Sequence, residues 1–303
     1  MGCNMGTERP PIHVDKQDWP AGGPTGKRLI TEHWDIRTTI RDEGFLDLLP
    51  EFMEATYRQY DKLFPNMEKK DQRPLRVFLF QTRGEWDAFS VRLFPHKARV
   101  YRKIRQGAYC EKDMPVAYYL GRARTLSVLA HEGLHAYVYR YFRGHLPAWL
   151  NEGLATYCEC FEYTEDGPKF TPKRNEFRLN SLRNALGAKT LIPLRELLGT
   201  HAGKVIQGTT PGVYAYYSQA WALMVFLRYG ENGKYSRRFD GLLEDLGTER
   251  LRISAGAYVA ATRAKDGGTI PFGEAVFRKY ITEDVDSFEA AFKKFLYKIS
   301  SLQ

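Results

Sequence analysis

Residues 125–142 (TLSVLAHEGLHAYVYRYF) form the stretch that most constrains this chain, because they read as one helix with two histidines on a single face. Leu126, Leu129, Leu134 and Val138 recur at helical spacing, and Gly144 and Pro147 stop the run. Pro147 also opens a second helix, expected to continue to about residue 161. His131 and His135 are four apart, so their imidazoles lie one turn apart and can chelate one ion. Glu132 follows the first histidine, where a carboxylate reaches the same space without ligating and can take a proton from water. A third ligand is needed, and Glu152 supplies it near the start of the second helix, 17 positions past His135. Two imidazoles and a carboxylate leave the fourth position of a tetrahedral zinc ion (Zn2+) open, as catalysis requires.

The rest of the chain reads as α+β. Residues 1–26, with Pro10, Pro11, Pro20, Gly22, Gly23 and Pro24, are expected to form a flexible N-terminal tail. A strand is expected over 29–37, a helix over 44–64, a strand over 75–80 and a helix over 83–93. Short strands follow at 107–110 and 115–120, ahead of the histidine helix. Beyond residue 166 the pattern is helical, with candidates at 174–186, 191–198, 213–229, 235–246, 272–280 and 287–299. The expected division is a tail (1–26), an α/β lobe carrying both metal helices (27–165) and a helical lobe completing the cleft (166–303).

The segment WLNEGLATYCE (149–159) is very similar to the second zinc-binding helix of aminopeptidase N-like gluzincins. The order LAHEGLHAYVYRYF, a short loop, LPAWLNEGLATY and then a tyrosine-bearing helix resembles the peptidase MA-like family, most securely over residues 117–230. The resemblance implies a zincin-like fold, with a small mixed or antiparallel sheet on the HExxH helix and a helical C-terminal lobe. It implies a zinc metallopeptidase that hydrolyses peptide bonds through a Glu132-activated, zinc-bound water. It also implies an oxyanion donor: Tyr217, which opens YSQAWALMVFL, with Tyr216, Tyr214 and His201 as alternatives. In such folds the strand before the metal helix is a sheet edge that pairs with extended substrate, which here assigns substrate binding to Val116, Ala117 and Tyr118. Thr156 and Glu159 are candidates to orient the imidazoles. The Gly-x-Met-x-Glu-Asn stretch that captures a free amino group in aminopeptidases is absent, and the gap from His135 to Glu152 is slightly shorter, so aminopeptidase specificity does not carry over. The competing reading is a catalytically silent binding or envelope-associated module on the same scaffold.

Composition narrows the partners. No apolar run reaches the roughly 18 residues that span a bilayer, and Arg228 ends the longest one, 220–227. The 45 Lys+Arg exceed the 36 Asp+Glu, but the surplus is dispersed apart from 97–105 (KARVYRKIR). Nucleic acid is therefore not expected as a partner, and the resemblance implies a peptide or protein substrate. Cys3, Cys110, Cys158 and Cys160 lack the paired CxxC spacing of a structural zinc site. Cys3 ahead of a polar, Gly/Pro-rich stretch would suit a lipid-bearing cysteine if an upstream signal is trimmed, which favours a secreted or cell-envelope setting while leaving the compartment open. The remaining histidines, His13, His33, His96, His145 and His201, have no ligand spacing between them.

Overall fold

The structure, a computed structural model, describes residues 12–20, 25–104, 107–142, 146–200, 209–246, 248–266 and 269–301. Cys3, His145, His201 and most of the glycine-bearing stretch ahead of Tyr217 lie outside them. The chain is mixed α/β and clusters into two compact units. The first comprises the described residues of Met1–Arg58, Gln72–Ala136 and Phe161–Phe170; the second comprises those of Gln59–Asp71, Tyr137–Cys160 and Thr171–Gln303.

The first unit is built on a six-stranded sheet of β1 (Asp15–Pro20), β2 (Thr25–Ile30), β3 (Trp34–Thr38), β4 (Leu75–Phe80), β5 (Ala108–Glu111) and β6 (Met114–Tyr118), in the order β1-β2-β3-β4-β6-β5. Pairings β3–β4 and β4–β6 are parallel and the other three antiparallel, so the sheet is mixed. The parallel pairs need crossovers. Helix α1 (Glu43–Leu63) makes the first, and the second runs through α2 (Arg83–Leu93) and the single turn α3 (Ala98–Tyr101).

Strand alternation gives the sheet two apolar faces. Leu29, Ile36, Val77 and Leu79 share one face, and the Trp34 indole donates to the Met53 carbonyl of α1 at 2.8 Å. Phe78, Phe80, Val116 and Tyr118 occupy the other and pack on Trp86 and Phe89 of α2. Thr82 and Glu85 close a reciprocal capping box that fixes where α2 begins.

Three departures from the sequence reading have local causes. Residues 29–37 are two strands, not one: Thr31 and Trp34 close a tight turn, and the buried Glu54 carboxylate accepts from the Thr31 hydroxyl (2.6 Å) and the His33 amide (3.0 Å). Part of the expected tail is ordered, since Asp15–Pro20 pairs along the whole of β2. The second metal helix stops at Tyr157, because β7 (Phe161–Thr164) and β8 (Gly167–Phe170) form a hairpin whose Phe161 and Phe170 lie 4.6 and 6.1 Å from Phe52.

Helix α4 (Arg122–Tyr141) follows β6 and is pinned at its start by Arg122 on Asp42 (2.6 Å) and by the Thr125 hydroxyl, which accepts from the Leu120 amide (2.9 Å). The second unit holds α5 (Ala148–Tyr157), α6 (Glu176–Gly187), α7 (Leu194–Gly199), α8 (Thr210–Tyr229), α9 (Ser236–Leu246), α10 (Arg250–Asp266), α11 (Phe272–Tyr280) and α12 (Val285–Ser301). Helix α8 is its centre, with Ala220 to Leu227 all buried and Phe226 among Tyr235, Phe288, Phe292 and Phe295. No helix among the described residues is long and apolar enough to cross a membrane. Cys110, Cys158 and Cys160 are free thiols.

Candidate metal centre

Helix α4 presents its histidines because its other positions are committed to packing: Leu129, Ala130, Leu134 and Ala136 are fully buried around them. His131 is buried, and Glu132 and His135 are half-buried. The imidazoles stand nearly perpendicular at 81°, and their Nε2 atoms approach to 3.1 Å.

Glu152 is buried in the second turn of α5, where the Leu150 and Asn151 amides bond the Pro147 carbonyl. The next residue, Gly153, sets how closely α5 meets α8. A Cβ there would stand 3.0 Å from Met224 and 3.1 Å from the Ala220 carbonyl, so the glycine is what lets the two helices approach. His131, His135 and Glu152 each offer one ligand atom, and the three atoms lie within 4.8 Å of one another.

Of the three tyrosines considered, Tyr214 is exposed, with its ring 6.3 Å from Phe177. Tyr216 is 1% exposed, and its hydroxyl has no hydrogen-bond partner among the described residues. Burial first, and then the Glu152 charge, hold that phenol far above the usual tyrosine range. Tyr217 is half-buried, with the Arg178 guanidinium 5.2 Å from its ring centre. Arg178 is buried, which works against its charge, but Glu159 outweighs this and raises its pKa, with smaller contributions from Tyr217 and Glu152. Arg178 grips Glu159 through Nε (2.8 Å) and Nη2, and Asn175 Nδ2 donates to the same carboxylate at 3.0 Å.

Thr156 and Glu159, the candidate orienting residues, are thus engaged within the second unit. The Thr156 hydroxyl donates to the Glu152 and Gly153 carbonyls, both at 2.8 Å, and Glu159 holds Arg178. Arg178 itself carries no motif. Its approach to Glu159 across 19 positions is a tertiary contact with no sequence signal.

The expected edge strand is corrected. Val116, Ala117 and Tyr118 lie on β6, which is bonded to β4 on one side and β5 on the other, so its backbone has no free side for an extended peptide. The edge is β5. Burial and, next, the negative charge of Glu132 push the Cys110 thiol on that strand well above its usual range. A second acidic and histidine cluster, Glu32, His33 and Glu54, is accounted for by the Thr31 to Trp34 turn, where His33 Nδ1 donates to Glu54 at 2.7 Å. His13 and His96 are exposed.

No protein-family model matches this chain, and no curated protein matches it either.

Proposed function

We propose that this chain is a zinc-dependent peptidase of the gluzincin type, on a zincin-like scaffold, resembling the peptidase MA-like family. The observation that carries the reading is the group His131, His135 and Glu152, with its three ligand atoms within 4.8 Å. The donor set suits zinc: two Zn–N bonds of about 2.0–2.1 Å at a tetrahedral angle put the nitrogens roughly 3.3 Å apart, and the Nε2 atoms here are 3.1 Å apart. The Tyr216 phenol is buried where it feels the Glu152 charge, and in a loaded site its hydroxyl would be the donor that orients that carboxylate.

A zinc ion on these residues supplies Lewis acidity toward water and toward the scissile carbonyl. Glu132 takes the proton of the attacking water and delivers it to the leaving amine. Tyr217, half-buried and therefore reachable by substrate, donates its phenol hydrogen to the developing oxyanion. Tyr216 is too buried for that task and serves as a positioning residue for Glu152.

The test combines zinc stoichiometry with peptide-library cleavage for the wild type, Glu132→Gln and His131→Ala. The expected result is one zinc per chain in the first two, cleavage by the wild type alone, and no stoichiometric zinc in His131→Ala. Zinc bound by both the wild type and Glu132→Gln, with cleavage by neither, sinks the peptidase reading and leaves a silent metal-binding module.

A further inference from the structure

The α2 face of the sheet continues past α2 onto β1, β2 and β3, where its character changes from aromatic to basic. The register sets Arg28 opposite Arg37 and Arg76 opposite Asp35. Asp35, 6% exposed, accepts from Arg28 at 2.7 and 3.1 Å and from Arg37 at 3.4 and 3.2 Å, with Arg76 farther off at 3.7 Å. Burial raises the Asp35 carboxyl, but the hydrogen bonds from Arg28 and Arg37 outweigh it and hold the group below the usual range, so it stays charged and fully engaged. Arg92, from the last turn of α2, lies 5.9 Å over Phe89, and neither it nor Arg76 has a carboxylate at hydrogen-bond distance among the described residues. Four guanidiniums therefore stand against Asp35, with Asp15 acting at longer range on Arg28.

Arg37, Arg76 and Arg92 line a groove of about 490 Å³ with an aromatic floor. Phe78 lies 5.7 Å from Trp19 and 5.7 Å from the Arg37 guanidinium. Trp19 can lie on the sheet because its register partner is Gly26, where a Cβ would come within 3.0 Å of the indole. Leu93, 45% exposed, adds an apolar wall.

We propose that this groove binds a small phosphate monoester carried on a flat aromatic body, with Arg37, Arg76 and Arg92 on the phosphate and Trp19 and Phe78 against the ring. The volume falls within the roughly 300–1,000 Å³ of small-molecule sites. Guanidiniums present paired donors that match phosphate oxygens. A surplus of two or more positive charges complements a phosphate of about −1.5 to −2 better than a single carboxylate. The residues come from four separate elements, which is why the dispersed basic sequence carries no nucleotide motif. This site stands apart from the peptidase reading and does not depend on it.

Tryptophan emission reads the groove selectively: of the five tryptophans, Trp34, Trp86, Trp149 and Trp221 are at most 1% exposed, leaving Trp19 as the quenchable one. The full chain is titrated with AMP, adenosine and inorganic phosphate as probes, by fluorescence and by calorimetry. AMP is expected to bind saturably and quench, with adenosine and phosphate each at least about tenfold weaker, a difference of about 1.4 kcal/mol. Trp19→Phe removes the quench while calorimetric binding persists. The double variant Arg76→Gln/Arg92→Gln, at exposed positions, weakens AMP by at least about tenfold with an unchanged melting curve. Equal binding of adenosine and AMP, AMP binding untouched by the double variant, or quenching by an oligodeoxythymidylate but not by AMP would each overturn the proposal.

Discussion

Individual carboxylates and phenols carry the sharpest expectations. Burial works to raise Glu54, but His33 Nδ1, the Thr31 hydroxyl and the His33 amide outweigh it, and the group sits below its ordinary value. A folded-state pKa below the unfolded one stabilises the fold above the unfolded value, and that contribution is lost as pH falls through the folded value. Stability is therefore expected to decline below about pH 4.5, with Glu54→Gln less stable than the wild type at pH 7 and its melting temperature less sensitive to acid. A wild-type acid limb as steep in Glu54→Gln would refute this. The two tyrosines separate by readout. Tyr217→Phe is expected to lower kcat by about 10²–10³ with zinc affinity intact, and Tyr216→Phe to weaken zinc by about tenfold. The reverse pattern in kinetics and metal titration would exchange their roles. The grouping of the two histidines and Glu132 was legible in the sequence because all three lie within about one helical turn. Arg178 was not, because its partner is brought to it by the packing of separate segments.

Between elements, the contact of α5 with α8 is the one the second unit is built around. Gly153→Ala places a methyl against Met224 and the Ala220 carbonyl, and overpacking of this kind costs about 1–3 kcal/mol. Calorimetry should show a melting temperature several degrees lower, and an unchanged value would mean that α5 and α8 are looser than the structure has them. The Glu159–Arg178 pair is the second such joint. Removing Arg178 as Arg178→Met leaves a buried carboxylate without its cation and is expected to cost about 3–5 kcal/mol in denaturant unfolding, whereas Glu159→Gln/Arg178→Met recovers much of it. The strong periodicities of α1, α4 and α8 and the alternation of β4 were readable. Strand β1 was not, since its residues are exposed apart from Trp19 and it exists by pairing with β2. The β7–β8 hairpin carried a readable signal in Asp166-Gly167, a turn dipeptide between two short strands. Helix α10 has few buried positions, Leu251 and Ala255 among them, and so lacks the apolar stripe that marks a helix in sequence.

For the molecule as a whole, a metal that binds only the folded chain must stabilise it. At a hundredfold excess over Kd the gain is about 2.7 kcal/mol, seen as a rise in melting temperature that chelation reverses, that Glu132→Gln keeps and that His131→Ala loses. A zinc-independent melting curve in the wild type would remove the metal centre itself. What the sequence determined alone is local placement: which helix bears the two imidazoles, which carboxylate stands beside them, and which carboxylate follows on the next helix. These depend on spacing within a helix or across one short turn, and 3.6-residue periodicity makes them readable. The tertiary structure decided which strands are the sheet's edges, which tyrosine is buried and which is partly exposed, and how arginines scattered over four elements gather on one face. Each depends on contacts between residues far apart in the chain, where pairing and packing, rather than any local pattern, select the neighbour.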